Sequence, residues 1–299
     1  MYVVTGATGN TGHIVAKKLL EQGKKVRAIG RSADRLAALT SLGAEPFTGD
    51  LEDKDAMASA FANASAAYLM VPPDLGNNDY RSYQDRIVET LASAVEVNKI
   101  SHLVALSSFG ADKPAGTGPI AGLHVLEERL KSISGLNTLA LRAGYFMENT
   151  LPQAMIIQHM GVTAGPLAPE LKIPMIASSD IGALAADELL RRDFTGFQIQ
   201  ELQGQRDLSM LEATAIIAKA IGKPDLKYHQ LTYEQFGDAL LQMGASRNIA
   251  TLFIEMSQAL NNGHVRQLEP RSDRSTTRTS YEEFIAEEFV PTFQRKSVA

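Results

Sequence analysis

Tyr2-Val3-Val4-Thr5-Gly6-Ala7-Thr8-Gly9-Asn10-Thr11-Gly12-His13 opens the chain, and Lys25-Val26-Arg27-Ala28-Ile29-Gly30-Arg31 follows one helix length later. An apolar strand that runs into Gly-x-x-Gly-x-x-Gly and then into an amphipathic helix aims backbone N–H groups and a helix N-terminus at a pyrophosphate. Gly6 lets the chain turn sharply off the strand, Gly9 keeps a Cβ away from the phosphates, and Gly12 allows close helix packing. Ile14, Val15, Leu19 and Leu20 give the helix its apolar stripe, and Gly23 ends it. The segment points to a dinucleotide site built from Gly6, Thr8, Gly9, Asn10, Thr11 and Gly12; the other reading is a plain tight turn.

The end of the second strand selects the cofactor. NAD and FAD sites place an acid there for the ribose hydroxyls, whereas a 2′-phosphate needs a cation. Here the residues are Gly30-Arg31-Ser32, with Arg35 one helical turn on. A guanidinium pairs bidentately with phosphate and stacks on adenine, so NADPH is expected over NADH. On the bland reading, Arg31 and Arg35 are solvated charges at a helix start.

Strands read at 2–4, 25–29, 44–48, 66–71, 102–106 and 138–142, and helices near 12–22, 33–42, 53–63, 80–98 and 120–134. This alternation predicts an α/β fold, a doubly wound parallel sheet of the Rossmann type with right-handed crossovers. After about residue 145 the rhythm changes. A short helix reads at 149–160, Gly and Pro fill 161–174, and Ser179-Asp180 caps a helix. A strand at 196–202, helices from Ser209 and Thr232 and at 247–261, and a last helix at 280–288 complete the chain, with a disordered tail expected at 294–299. The division expected is a dinucleotide-binding domain at 1–148 and a mainly substrate-covering, mixed region at 149–299, of which about 175–202 returns to the sheet.

Composition narrows the classes. The chain has 299 residues, 44% hydrophobic and 21% charged, with a net charge of −5, enough for a sizeable core and without the basic footprint of a nucleic-acid binder. Zero cysteines exclude disulfides and thiolate chemistry, and six histidines lack metal-ligand spacing, so no metal is expected. The nucleotide strand begins at residue 2, which leaves no room for a signal peptide, and no run reaches the ~18 apolar residues of a membrane helix. A cytoplasmic protein is expected.

Ligands of doubly wound sheets lie beyond the carboxyl ends of the strands. Asp50 there could accept from the adenine amino group, beside Leu51, or only start the third helix. Val71 and Pro72 form a stiff turn beside the ribose and nicotinamide. Ser107-Ser108-Phe109-Gly110 and Ala143-Gly144-Tyr145-Phe146-Met147-Glu148-Asn149 follow the fifth and sixth strands. Ser107 is a candidate for the nicotinamide amide or a substrate oxygen, Tyr145 and Phe146 for stacking on a flat ring, and Asn149 for donating to it. Met155, Met160, Met175 and Met243 either line an adaptable pocket or fill a core.

Taken together, Thr5 to Gly12, Gly49-Asp50-Leu51, Ser107 to Gly110 and Leu141 to Asn149 resemble the NmrA-like branch of atypical short-chain dehydrogenases/reductases, and Arg278 to Phe284 resembles that family's last helix. The resemblance implies NADPH-dependent reduction of quinones, azo dyes or triphenylmethane dyes. It also admits redox sensors and co-regulators that bind NADP and act on a protein partner. The wider family pairs a serine with Tyr-x-x-x-Lys, but between Ser108 and Tyr145 this chain has no tyrosine. His124 stands there, with Glu128 one turn later, either as an acid facing the pocket or as an exposed i,i+4 partner of Glu128. Ordinary alcohol dehydrogenation therefore becomes disfavoured. Hydride transfer to a small electron-poor aromatic acceptor, a quinone first, needs no dedicated acid. His124, Tyr145, Asn149 and Ser107 are the expected catalytic-site residues. A homodimer is compatible with the sequence.

Overall fold

The computed structural model describes residues 1–295. The elements run β1 (Tyr2–Val4), α1 (Asn10–Glu21), β2 (Val26–Gly30), α2 (Ala33–Ser41), β3 (Glu45–Thr48), α3 (Lys54–Ala60), β4 (Ala66–Leu69), α4 (Tyr80–Val97), β5 (His102–Ser108), α5 (Ala121–Lys131) and β6 (Asn137–Ala143). There follow β7 (Tyr145–Phe146), α6 (Gln153–Met160), β8 (Thr163–Gly165), β9 (Ile173–Ile176), α7 (Ser178–Arg191), β10 (Phe197–Leu202), β11 (Arg206–Leu208) and α8 (Met210–Ala220). The chain ends with β12 (Tyr228–Gln230), α9 (Tyr233–Gln242), α10 (Arg247–Asn261), α11 (Tyr281–Phe284), a π turn at Ile285–Phe289 and α12 (Val290–Gln294).

Seven parallel strands in the order β10-β6-β5-β4-β1-β2-β3 form the main sheet. Strands such as β1 and β4 are apolar at every position because both faces are covered. On one face α1 and α7 pack over Val4, Tyr68, Val104 and Leu139. On the other, α3, α4, α5 and α10 cover Val3, Leu69, Leu103 and Ala105. The order reverses between β1 and β4, and that gap is the topological switch point at which such sheets hold ligands.

Segment 175–202 supplies β10, the seventh strand, whereas β7, β9 and β11 form a separate three-stranded sheet and β8 and β12 a pair. Strand β8 and the start of β9 lie in the stretch 161–174 read from sequence as Gly- and Pro-rich. Helix α3 stops at Ala60, short of the expected 63, and Asn63 turns left-handed (φ 61°) just beyond it. Ser179-Asp180 does not cap α7. The helix starts at Ser178, whose N–H donates to Glu148 Oε1 at 2.9 Å, while Asp180 accepts from Thr279 N–H and Oγ1–H at 3.0 and 2.8 Å. Of the tail expected to be disordered at 294–299, Gln294 closes α12 and residues 296–299 lie outside the described residues. Among the described residues no helix is long and apolar enough to cross a membrane.

Candidate functional site

The first turn beyond β1 is shaped by close backbone approach. Gly6 sits at φ +61°, and a Cβ there would meet Met70 Sδ at 2.5 Å. At Gly12 a Cβ would lie 2.3 Å from the Gly6 carbonyl oxygen, so only glycine lets α1 begin this near the strand end. Gly9 is the N-cap, and no side chain caps the helix. Its first-turn N–H groups, carried by the exposed Asn10 and by Thr11 and Gly12, are therefore left to an anion.

A buried latch holds this loop to the next strand across the switch point. Tyr68 Oη–H donates to Thr11 Oγ1 at 2.9 Å, Thr5 Oγ1–H to the Tyr68 carbonyl at 3.2 Å, and Met70 N–H to Thr5 Oγ1 at 3.0 Å. Burial pushes the Tyr68 phenol well above its ordinary pKa, so it stays a donor. Thr11 thus accepts inward at its hydroxyl oxygen and turns its main-chain N–H toward a ligand. Thr8 packs at the end of β2, where a Cβ on Gly30 would sit 3.1 Å from Thr8 Cγ2.

Arg31 and Arg35 are exposed at that strand end, and among the described residues neither forms an ion pair. Ser32 begins α2 without a side-chain cap, so a second open helix N-terminus follows directly on Arg31. The nearby Glu52 is neutralised by Arg86 at 2.5 Å. Asp50 is exposed, and its Oδ1 accepts from Glu52 N–H at 3.0 Å. It does not start α3, whose cap is Asp53, accepting from Ala56 N–H at 3.0 Å. Leu51 is buried beneath it. Val71 and Pro72 are half-buried, and Tyr83 Oη–H fixes the turn by donating to the Pro72 carbonyl at 3.2 Å. Burial pushes the Tyr83 hydroxyl up to about 12, with Asp74 adding and Arg31 opposing, which places Arg31 within electrostatic reach of this turn. Two open helix ends, a cradle that a Cβ would fill and an unpaired arginine together fit an adenine dinucleotide bearing a 2′-phosphate.

Ser107, at the end of β5, is 2% exposed, and its hydroxyl donates to Glu127 Oε1 at 2.5 Å. Glu127 in turn accepts from Arg142 Nε at 2.9 Å and Nη2 at 2.6 Å, a bidentate pair between α5 and β6. Neither Glu127 nor Arg142 was singled out from sequence; the spacing Glu127 to Arg142 shows no motif, and only the sheet brings them together. His124 is half-buried one turn before Glu127, and its Nδ1–H donates to the Ala111 carbonyl at 2.9 Å, which leaves Nε2 free. It makes no i,i+4 pair with Glu128, which is exposed and paired with Lys131 at 3.7 Å.

Tyr145 and Phe146 form β7, half-buried beyond the end of β6, paired with Met175 and Ile176. Burial pushes the Tyr145 hydroxyl up to about 12. Tyr228 Oη–H donates to the Leu167 carbonyl at 2.9 Å and Tyr281 Oη bonds Thr150 Oγ1 at 2.9 Å, and both phenols lie within electrostatic reach of Tyr145. Asn149 is exposed on the following 3-10 turn. The methionines do not share a pocket: Met155, Met160 and Met243 are 58%, 65% and 67% exposed, and Met175 is core.

Comparison with known proteins sets this geometry in a family. The model of the NmrA-like family matches residues 2–289, so the chain belongs to that family. It is 27% identical over 260 residues to the NAD(P)H azoreductase of Xenophilus azovorans, covering 86% of each chain. It is also 27% identical over 267 residues to quinone oxidoreductase 2 of Escherichia coli (strain K12), covering 88% of this chain and 89% of the relative. The crystal structure of an NADPH-dependent quinone oxidoreductase from Escherichia coli, complexed with NADPH, superposes with a TM-score of 0.79 at 23% identity, covering 96% and 99% of the two chains.

Proposed function

We propose that this member of the NmrA-like family is an NADPH-dependent reductase of small electron-poor aromatic acceptors, quinones first and azo or other dyes second. The observation that carries the reading is an uncapped Gly-rich loop with an unpaired arginine at the end of β2, in a chain that aligns over 86% or more of its length with reductases. The cofactor, when bound, supplies the hydride. In the overall change, quinone, NADPH and one proton give hydroquinone and NADP⁺.

The chain's own residues bind and orient. Main-chain N–H groups of Asn10 to Gly12 hold the pyrophosphate, Arg31 and Arg35 the 2′-phosphate, and Asp50 the adenine amino group, while Val71 and Pro72 border the ribose. No tyrosine follows Ser108 before Tyr145, so the Tyr-x-x-x-Lys proton relay is not part of this site. Tyr145, with its hydroxyl pushed up to about 12, stays protonated at neutral pH and serves as a hydrogen-bond donor and a flat wall. Asn149 donates at the rim. His124 Nε2, once protonated, supplies a proton where the acceptor needs one, as an azo bond does more than a quinone. The zero-cysteine composition suits a reducing, cytoplasmic setting.

The test is NADPH oxidation at 340 nm across quinones, azo dyes and activated ketones, beside direct titration with NADPH. Turnover ranked quinone over azo dye over ketone is expected. Tight binding with no turnover on any acceptor would replace this reading with that of a dinucleotide-sensing regulator acting on a protein partner.

A further inference from the structure

Ser107, Glu127 and Arg142 are 2%, 3% and 6% exposed, a buried polar network at the carboxyl ends of β5 and β6. These strands lie beyond β4 from the switch point, on the side toward which the nicotinamide half of a dinucleotide extends. The direction of each hydrogen bond is fixed by chemistry. Arg142 can only donate, and it fills one position on each Glu127 oxygen, at 2.9 and 2.6 Å. A carboxylate so paired can only accept, so the 2.5 Å contact from Ser107 Oγ has the serine proton in it. A hydroxyl has one proton and two lone pairs. With the proton spent on Glu127, what Ser107 has left for a ligand is a lone pair.

We infer that Glu127, held by Arg142, turns Ser107 into an obligate hydrogen-bond acceptor at the nicotinamide end of the site. Ser107 therefore cannot protonate a substrate oxygen, in contrast to a serine free to donate. Instead it takes a ligand group that donates, an N–H or an O–H, and of these we assign it the N–H of the nicotinamide carboxamide, the donor that the analogue below removes. Glu127 is a positioning residue that acts through the serine proton. Hydride acceptors that need a donor must find it elsewhere, at Tyr145, His124 or water. The inference rests on the dinucleotide part of the proposed function and not on turnover.

The test compares binding of NADP⁺ with that of its 3-acetylpyridine analogue, which replaces the carboxamide NH₂ by a methyl group and keeps the carbonyl. By fluorescence or calorimetric titration, the chain should bind NADP⁺ about fivefold more tightly, the effect of one neutral hydrogen bond. Ser107→Ala should bring the ratio to about one, and Ser107→Thr should keep it. Glu127→Leu removes the acceptor of the Ser107 proton, frees that proton for a ligand and should shift the ratio toward the analogue, with folding checked by circular dichroism. If Glu127→Leu fails to fold, the Ser107→Ala and Ser107→Thr pair still decides. Equal affinities in the wild type, or a preference that survives Ser107→Ala, would overturn the inference. Discrimination in a chain that turns over no acceptor would support it while refuting the reductase reading.

Discussion

Replacing Arg142 by Met removes the only cation, among the described residues, bonded to Glu127, a carboxylate whose side chain is 4% exposed. Breaking a buried pair from one side costs ~3–5 kcal/mol, because the surviving charge keeps its desolvation penalty and loses its partner. The surroundings push this value toward the upper end. Although burial works against its charge, the Arg142 guanidinium is held above its ordinary pKa by Glu127 and, at longer range, by Asp112 and Glu201, so removing it leaves three carboxylates less screened. Glu127→Leu is milder, since Arg142 keeps the field of Asp112 and Glu201. The double variant, with no buried charge left at the pair, should be more stable than Arg142→Met alone. For a chain of this size, at roughly 2 °C per kcal/mol, Arg142→Met should lower Tm by about 6–10 °C. Urea denaturation of the wild type, both single variants and the double variant closes the cycle. A loss below about 1 kcal/mol for Arg142→Met, or a double variant as unstable as the sum of the singles, would refute the reasoning.

Arg31→Asp should weaken NADPH by at least ~10-fold, the loss of a charge-assisted hydrogen bond with repulsion added, and leave NADH within about twofold; titration with both cofactors decides. Gly12→Ala forces a methyl group to within 2.3 Å of a backbone oxygen that cannot move aside, so a loss of roughly 1–3 kcal/mol in stability and weaker dinucleotide binding are expected, measured by melting and titration. His124→Ala should slow azo-dye reduction by ~10²-fold or more and leave quinone reduction nearly intact, which steady-state kinetics will read. Stability should fall at both pH extremes. Tyr83 and Tyr145, pushed up to about 12 by burial, contribute stability that is complete below pH ~10 and is lost as the pH rises through 12. Glu282, held low by Arg206, and Glu212, held low by the Ser209 N–H, contribute stability present above pH ~4.5 and lost on further acidification.

The parallel sheet was legible because β1, β2, β4, β5 and β6 carry their own local signatures, apolar residues between turn formers at a βα spacing, while β3, Glu45-Pro46-Phe47-Thr48, is a largely exposed edge strand. The phosphate loop was legible for the same reason, since Gly6, Gly9 and Gly12 are neighbours in sequence. What escaped were features made by distant residues. Nothing in the local pattern shows that Glu148 satisfies the start of α7, that Asp180 turns to Thr279, or that Ile173–Ile176 leaves a Gly- and Pro-rich stretch to pair with β7 and β11. The Ser107–Glu127–Arg142 network was hidden likewise: each member reads alone as a strand-end hydroxyl, a helix charge or a strand charge, and only the β5–β6 register and the α5 crossover join them. His124 shows the limit from the other side. The sequence left two readings, an acid facing the pocket or a helical partner of Glu128; the loop after β5 offers the Ala111 carbonyl, and that tertiary bond takes one ring nitrogen in place of the helical pair.

The most direct test is a single turnover under anaerobic conditions, with protein, one equivalent of NADPH and excess quinone mixed rapidly and followed at 340 nm. The account predicts complete loss of the NADPH absorbance within the first turnover, with one equivalent each of hydroquinone and NADP⁺ formed. Absorbance that persists while the protein remains saturated with NADPH would contradict it.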